Sequence, residues 1–205
     1  MGLMKIKKKM IKDRIYLLEF ESQHDLASTF LRFEEHYESP EFSGKIFTFK
    51  EFKKGYSNVK GSFTYYDDWP AFNIPSSVLK PFYEGKFNPL SKKEKQLLEL
   101  FNEHEDDFYI IGVAKNSDKS YLNHEIAHGL FYTNPEYKGK VLALLKKFNL
   151  EEIKKELKSK DGYCDDVLDD ELHAWILTDS DELGTKPPEK LKDELKRLFE
   201  EYENL

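Results

Sequence analysis

The 205-residue chain has a single cysteine, Cys164, and no apolar stretch longer than the seven residues from Phe108 to Ala114. One cysteine excludes an internal disulfide, and a chain without disulfides suits a reducing compartment, so we expect a cytoplasmic location. A membrane-spanning helix needs about 20 apolar residues, which excludes one here. The lysines between Met1 and Arg14 have no apolar segment after them, so we expect no secretory signal.

Apolar and charged residues are both plentiful. Hydrophobic residues make up 39% of the chain, aromatic residues 15% and charged residues 35%, which is enough apolar area for a core beneath a polar surface. We therefore predict one compact domain over residues 1–205. Within it, residues 1–107 form an N-terminal α/β and aromatic-rich subregion, and residues 108–205 form the C-terminal part.

Charge is unevenly distributed along the chain. The net charge of -7 argues against nucleic acid as a partner, and we expect no membrane partner either. Lysines at positions 5, 7, 8, 9 and 12 are typical of a solvated tail. Residues 161–184 carry nine acidic side chains and no Lys or Arg. That segment is either a solvated helix and loop or a cleft entrance that favours cationic substrates.

Hydrophobic periodicity predicts an α+β fold. Strands are expected at Arg14 to Ser22, at Lys45 to Phe49 and, most strongly, at Phe108 to Ala114, whereas the segment from Ser57 to Pro89 is expected to be ordered but irregular. Helices are expected at residues 25–37, 48–56, 91–102, 120–133, 135–148, 150–158, 165–178 and 188–202.

The residues from His124 to His128 spell H-E-x-x-H on one of these predicted helices. Positions i and i+4 lie one above the other on a helix, so both imidazoles can reach one metal ion. Glu125 lies about 100° further round, close enough to hydrogen-bond a metal-bound water. The competing interpretation makes both histidines ordinary core or surface residues.

In these five residues the sequence resembles the zincin metallopeptidases, whose active-site helix carries this motif after a strand. The resemblance is looser over residues 108–178 and does not extend to residues 1–107. It implies a small mixed sheet with an edge strand before the motif helix, and a largely helical C-terminal half. It also implies one zinc ion per chain, with His124 and His128 as ligands and Glu125 as general base.

The resemblance implies a third ligand further along the chain. A metzincin would need Gly and His where this chain has Phe131 and Asn134, so that subfamily is excluded. The remaining candidates are Glu151, Glu152, Asp170, Glu171 and His173. Glu171 falls in the middle of the apolar face of its own predicted helix, where a carboxylate is costly unless it is paired or metal-bound.

Glu171 is therefore our choice, which corresponds to the gluzincin type. The string from Glu171 to Ala174 is similar to the E-x-x-A around the third ligand in several such families. Members often carry an aspartate after that alanine to orient a ligand histidine, and here the residue is Trp175, so support must come from elsewhere. The competing interpretation pairs a buried Glu171 with an Arg or Lys.

These residues predict a zinc-dependent metallopeptidase that hydrolyses a peptide or protein substrate. The alternative is a catalytically inactive zincin-fold protein that acts as a binding or regulatory module. The oligomeric state is left open. Candidates for stabilising the transition state are His173, Tyr163, Tyr132 and Tyr121.

Overall fold

The structure, a computed structural model, describes residues 4–104, 106–115, 122–160, 163 and 165–203. Tyr121, Cys164 and the turn predicted at Asp161-Gly162 lie outside these residues. The chain divides into two compact units, Met1–Asp118 and Lys119–Leu205. The prediction of one compact domain over residues 1–205 stays a prediction.

The first unit contains a four-stranded mixed sheet with strand order β1-β2-β4-β3. Strands β1 and β2 are antiparallel, with Ile6 opposite Phe20, and β2 and β4 are parallel. Strand β3 completes the sheet by pairing antiparallel with β4. The strand bounds are β1 Ile6–Lys12, β2 Ile15–Phe20, β3 Ala71–Pro75 and β4 Tyr109–Ala114.

The expectation of an edge strand before the motif helix is wrong. Strand β4 lies inside the sheet, with β2 on one side and β3 on the other. Its first four residues, Tyr109 to Gly112, are all buried. A continuous apolar run is typical of such an internal strand. With both edges of β4 paired, no extended substrate can add to it.

Three other strand expectations need correction. The N-terminal lysines are not a tail, because they lie in or beside β1, an edge strand of the sheet. Lysines on an edge strand discourage pairing with other chains. Strand β3 lies in the segment expected to be irregular. No strand forms at Lys45 to Phe49, where Thr48 instead caps the next helix through a capping box with Glu51.

Helix α1, Gln23–Glu38, begins at the N-cap Ser22 and packs against the sheet. Leu26, Phe30 and Phe33 are fully buried, as their periodicity predicts. The other helical segments of this unit are α2 Phe49–Lys60, α3 Tyr65–Asp68, a 3₁₀ turn Ser76–Leu79, α4 Lys80–Tyr83 and α5 Lys92–Glu99.

In the described part of the second unit, all regular secondary structure is helical. Asn134 caps α7 by accepting hydrogen bonds from the backbone N–H groups of Glu136 and Tyr137, and Pro135 begins the helix, as the sequence predicts. Helix α9 packs against each of the other four helices. The helices are α6 Leu122–Thr133, α7 Pro135–Leu145, α8 Glu151–Lys160, α9 Leu168–Thr178 and α10 Glu189–Glu203.

The α+β class, the small mixed sheet and the largely helical C-terminal half are thus confirmed. Within the ranges that the structure describes, no helix combines the length and apolar character needed to cross a bilayer. The cytoplasmic location stays a prediction.

Gly112 of β4 marks the closest approach between α1 and the sheet. A Cβ atom at this position would lie 2.6 Å from Phe30 and 2.8 Å from Leu26.

We therefore expect Gly112→Ala to lower the free energy of unfolding by about 1–3 kcal/mol through overpacking. Gly139→Ala in α7 is the control. Its Cβ would meet nothing within 4 Å, so it should raise the free energy of unfolding by about 0.5–1 kcal/mol. Urea unfolding measures both, and similar effects from the two variants would contradict the close approach.

Glu35 of α1 should make the stability of the first unit depend on pH. Burial raises its pKa from 4.5 to about 7, although hydrogen bonds from Ser39 and Tyr65 act in the opposite direction. Between these two values the folded chain keeps a proton that the unfolded chain has lost, so stability falls as pH rises from about 4.5 to 7.

Glu35→Gln removes that titration. Relative to the variant, the wild type should lose on the order of 2 kcal/mol between pH 4.5 and 8 in urea unfolding. Glu103→Gln, which replaces an exposed carboxylate of the same unit, should follow the wild type. If the wild type and Glu35→Gln have parallel pH profiles, the assignment is wrong.

Candidate metal centre

Helices α6 and α9 bring three of the predicted residues together. His124 and His128 lie on α6 and Glu171 on α9, and one potential ligand atom from each lies within 4.8 Å of the others. Nε2 of His128 is 3.7 Å from Oε1 of Glu171. The group is largely enclosed but not sealed, because 14% of the His124 side chain is exposed, against 2% for His128 and 5% for Glu171.

Each histidine has a carboxylate at its Nδ1 atom. Nδ1 of His124 lies 3.0 Å from Oγ1 of Thr178 and 3.1 Å from Oδ2 of Asp179. Nδ1 of His128 lies 2.9 Å from Oδ1 of Asp170. A carboxylate oxygen only accepts hydrogen bonds, so the Nδ1 atom of each ring carries the proton. In its neutral form each ring therefore has Nε2 as its lone-pair nitrogen.

This donor set fits a metal ion. Two imidazole nitrogens and one carboxylate oxygen are the ligands of a gluzincin-type zinc site, and a tetrahedral zinc places neighbouring ligand atoms about 3.4 Å apart. The 3.7 Å between His128 and Glu171 is close to that value. A carboxylate behind each ligating imidazole fixes its tautomer and raises its basicity. Three protein ligands leave a tetrahedral ion one open position.

The Glu125 carboxylate is the clearest indication that this group binds a molecule or ion outside the protein chain. The residue is buried, and its Oε2 atom has no hydrogen-bond partner in the part of the chain that the structure describes. A buried carboxylate oxygen without a donor is costly, so an unpaired one indicates a missing donor such as a water. Its charge also acts on His128, which places it beside the ligands.

The electrostatics of the group favour a cation. Burial alone would lower the pKa of His128, but Asp170, Glu171 and Glu125 together raise it. Burial alone would raise the pKa of Asp170, but the charge and hydrogen bonding of His128 lower it. A hydrogen bond from His124 lowers the pKa of Asp179. Buried carboxylates thus surround a position where positive charge is stabilised.

The other predicted residues are more scattered. Glu151 and Glu152 begin α8 with exposed side chains. His173 is fully buried on the Nδ1 side of His128, where burial lowers its pKa, so it does not face a substrate. Tyr132 is half-buried on α6.

Tyr163 is connected to His124 through Trp175. Its hydroxyl accepts a 3.5 Å hydrogen bond from Nε1 of Trp175, and the Trp175 ring meets His124 edge-on with 5.7 Å between the ring centroids. Trp175 therefore does not replace an orienting aspartate. It lines the side of His124 instead.

Sequence reasoning missed the roles of Asp170 and Asp179. Asp170, one of the candidate third ligands, is instead buried against Nδ1 of His128. Asp179 follows the last residue of α9, where helical periodicity no longer applies. The sequence does contain a signal for such roles. Asp169 and Asp170 directly precede Glu171, and each ligand histidine needs an acceptor for its second ring N–H.

Comparison with protein-family models, curated proteins and solved structures found no match for this chain. The ligand geometry therefore carries the functional argument alone.

Asp179 offers a direct test of the histidine support. Asp179→Ala removes the carboxylate at Nδ1 of His124, leaving only the Thr178 hydroxyl there, and should weaken zinc binding by about 10–100-fold, measured by competition with a chromophoric chelator. Asp181→Ala is the matched control, because Asp181 is exposed in the same loop and its carboxylate pairs with Lys186 at 3.8 Å. Equal zinc affinity in the two variants would contradict a supporting role.

Proposed function

We propose that this protein is a zinc-dependent metallopeptidase of the gluzincin type, with one zinc ion per chain. His124, His128 and Glu171 would hold the ion. The observation that carries the proposal is the unpaired, buried Oε2 of Glu125 beside this ligand group. A purely structural zinc site has no use for such a carboxylate.

Zinc in this position supplies Lewis acidity for a peptide carbonyl and lowers the pKa of a water molecule. Glu125 acts as the general base: it takes a proton from the water as the water oxygen attacks the carbonyl carbon. As the C–N bond breaks, Glu125 gives that proton to the leaving amine. Burial favours this cycle, because few other groups compete for the proton.

The exposed side of His124 indicates where a substrate enters. Trp175 contacts the His124 ring, Tyr163 contacts Trp175, and both are half-buried. This position beside His124 makes Tyr163 our leading candidate for stabilising the carbonyl oxygen in the transition state.

Two substitutions test this function. Purified wild type should contain about one zinc per chain, and Glu171→Ala should lose most of it. Glu152→Ala is the control and should keep its zinc, because the Glu152 side chain is exposed on α8. Glu125→Gln should keep the metal and cleave a diverse peptide library at least about 10²-fold more slowly, because the general base is gone. Metal analysis and mass spectrometry of the digests give the readouts.

A protein that is metal-free as purified and takes up no added zinc would overturn the proposal. A protein that binds zinc through Glu171 yet cleaves nothing, with Glu125→Gln indistinguishable from wild type, would favour the inactive binding or regulatory module.

A further inference from the structure

His173 has a polar ring at a buried position where an apolar ring could pack in the same way. It is fully buried on α9 and stacks on Phe131 with 5.1 Å between ring centroids. Its Nε2 atom is buried without a hydrogen-bond partner among the residues that the structure describes. Phenylalanine would make the same stack without this unpaired atom, which is unfavourable in a core. The other nitrogen, Nδ1, must therefore be what the fold uses.

Nδ1 of His173 is directed at Asp170. It lies 2.6 Å from the backbone oxygen of Asp170 and 3.3 Å from the carboxylate atom Oδ1. Both oxygens are acceptors, so Nδ1 carries the proton and donates it towards Asp170. This single N–H holds the first turn of α9 and faces the Asp170 side chain at the same time.

Asp170 links this ring to a metal ligand. The same Oδ1 atom lies 2.9 Å from Nδ1 of His128, whose Nε2 is 3.7 Å from Glu171. Oδ1 makes no well-aligned hydrogen bond within the described chain. Its place between two imidazoles is therefore set by the groups around it rather than by one strong bond.

We propose that His173 is a positioning residue of the metal centre: its Nδ1–H holds Asp170 so that the Asp170 carboxylate fixes the imidazole of His128. This inference rests on the proposed function, since it concerns the same ligand group. His173 touches neither the metal nor a substrate, and it acts through Asp170.

Two variants of His173 separate positioning from packing. His173→Phe keeps the stacked ring and removes the N–H, whereas His173→Asn keeps a donor near the place of Nδ1 and leaves a cavity. Zinc affinity is measured by chelator competition, and the melting temperature is measured on the metal-free protein. We expect His173→Phe to weaken zinc binding about tenfold or more, and His173→Asn to stay within about threefold of wild type despite a lower melting temperature.

A role in packing alone predicts the reverse order, with His173→Phe harmless and His173→Asn impaired. That result would overturn the inference. Leu191→Ala is the control for general destabilisation, because Leu191 is fully buried on α10, which carries none of the candidate metal ligands. It should lower the melting temperature and leave zinc affinity unchanged.

The outcomes also separate this inference from the proposed function. A wild type that binds no zinc overturns both, whereas tight zinc binding by wild type and His173→Phe alike overturns the inference alone. If His173→Phe does not fold, His173→Gln replaces it. Glutamine places its donor near Nε2 instead of Nδ1, so zinc binding should weaken about tenfold in His173→Gln and not in His173→Asn.

Discussion

The second unit depends on one constraint: His124 and His128 each have an acceptor at Nδ1, so each neutral ring offers only Nε2 to a metal. Asp170 provides that acceptor for His128, and Asp179 provides it for His124. Both aspartates come from α9 or the residue that follows it, and the same helix carries Glu171. Helix α9 and the residue that follows it thus contribute one candidate ligand and the acceptors that orient the two others. For that reason the packing of α9 against α6 is the central contact of this unit.

Much of this site could be predicted from its sequence. The spacing of His124 and His128 and the apolar surroundings of Glu171 were sufficient to select the three residues that the fold brings together. Exposure was harder to predict. Asp170 and His173 lie on the more polar side of α9, yet both are buried. Four other helices pack against α9, so its polar side faces protein as well, and the polar residues there lie beside the candidate metal centre instead of solvent.

In the first unit, helices could be predicted from local patterns, whereas two of the strands could not. Helix α1 and a helix that begins at Thr48 follow from local patterns and were predicted. Strands β1 and β3 were not, because their stability comes from partners far along the chain and not from their own composition. Lysines conceal the alternation of β1, and Pro75 ends β3 with a residue that the sequence suggests for a loop. The same long-range pairing placed β4 inside the sheet.

The acidic segment after α8 takes on a different meaning once its neighbours are known. Lys154 pairs with Asp169, and Lys158 pairs with Asp165, so two of its charges are balanced by the preceding helix. Asp170 and Asp179 lie against His128 and His124 instead. A carboxylate paired with a lysine forms a closed dipole, whose field decays faster with distance than that of a net charge. A cationic molecule would therefore experience weaker long-range steering from this segment than its nine acidic residues suggest, and short-range contact would contribute more of the discrimination.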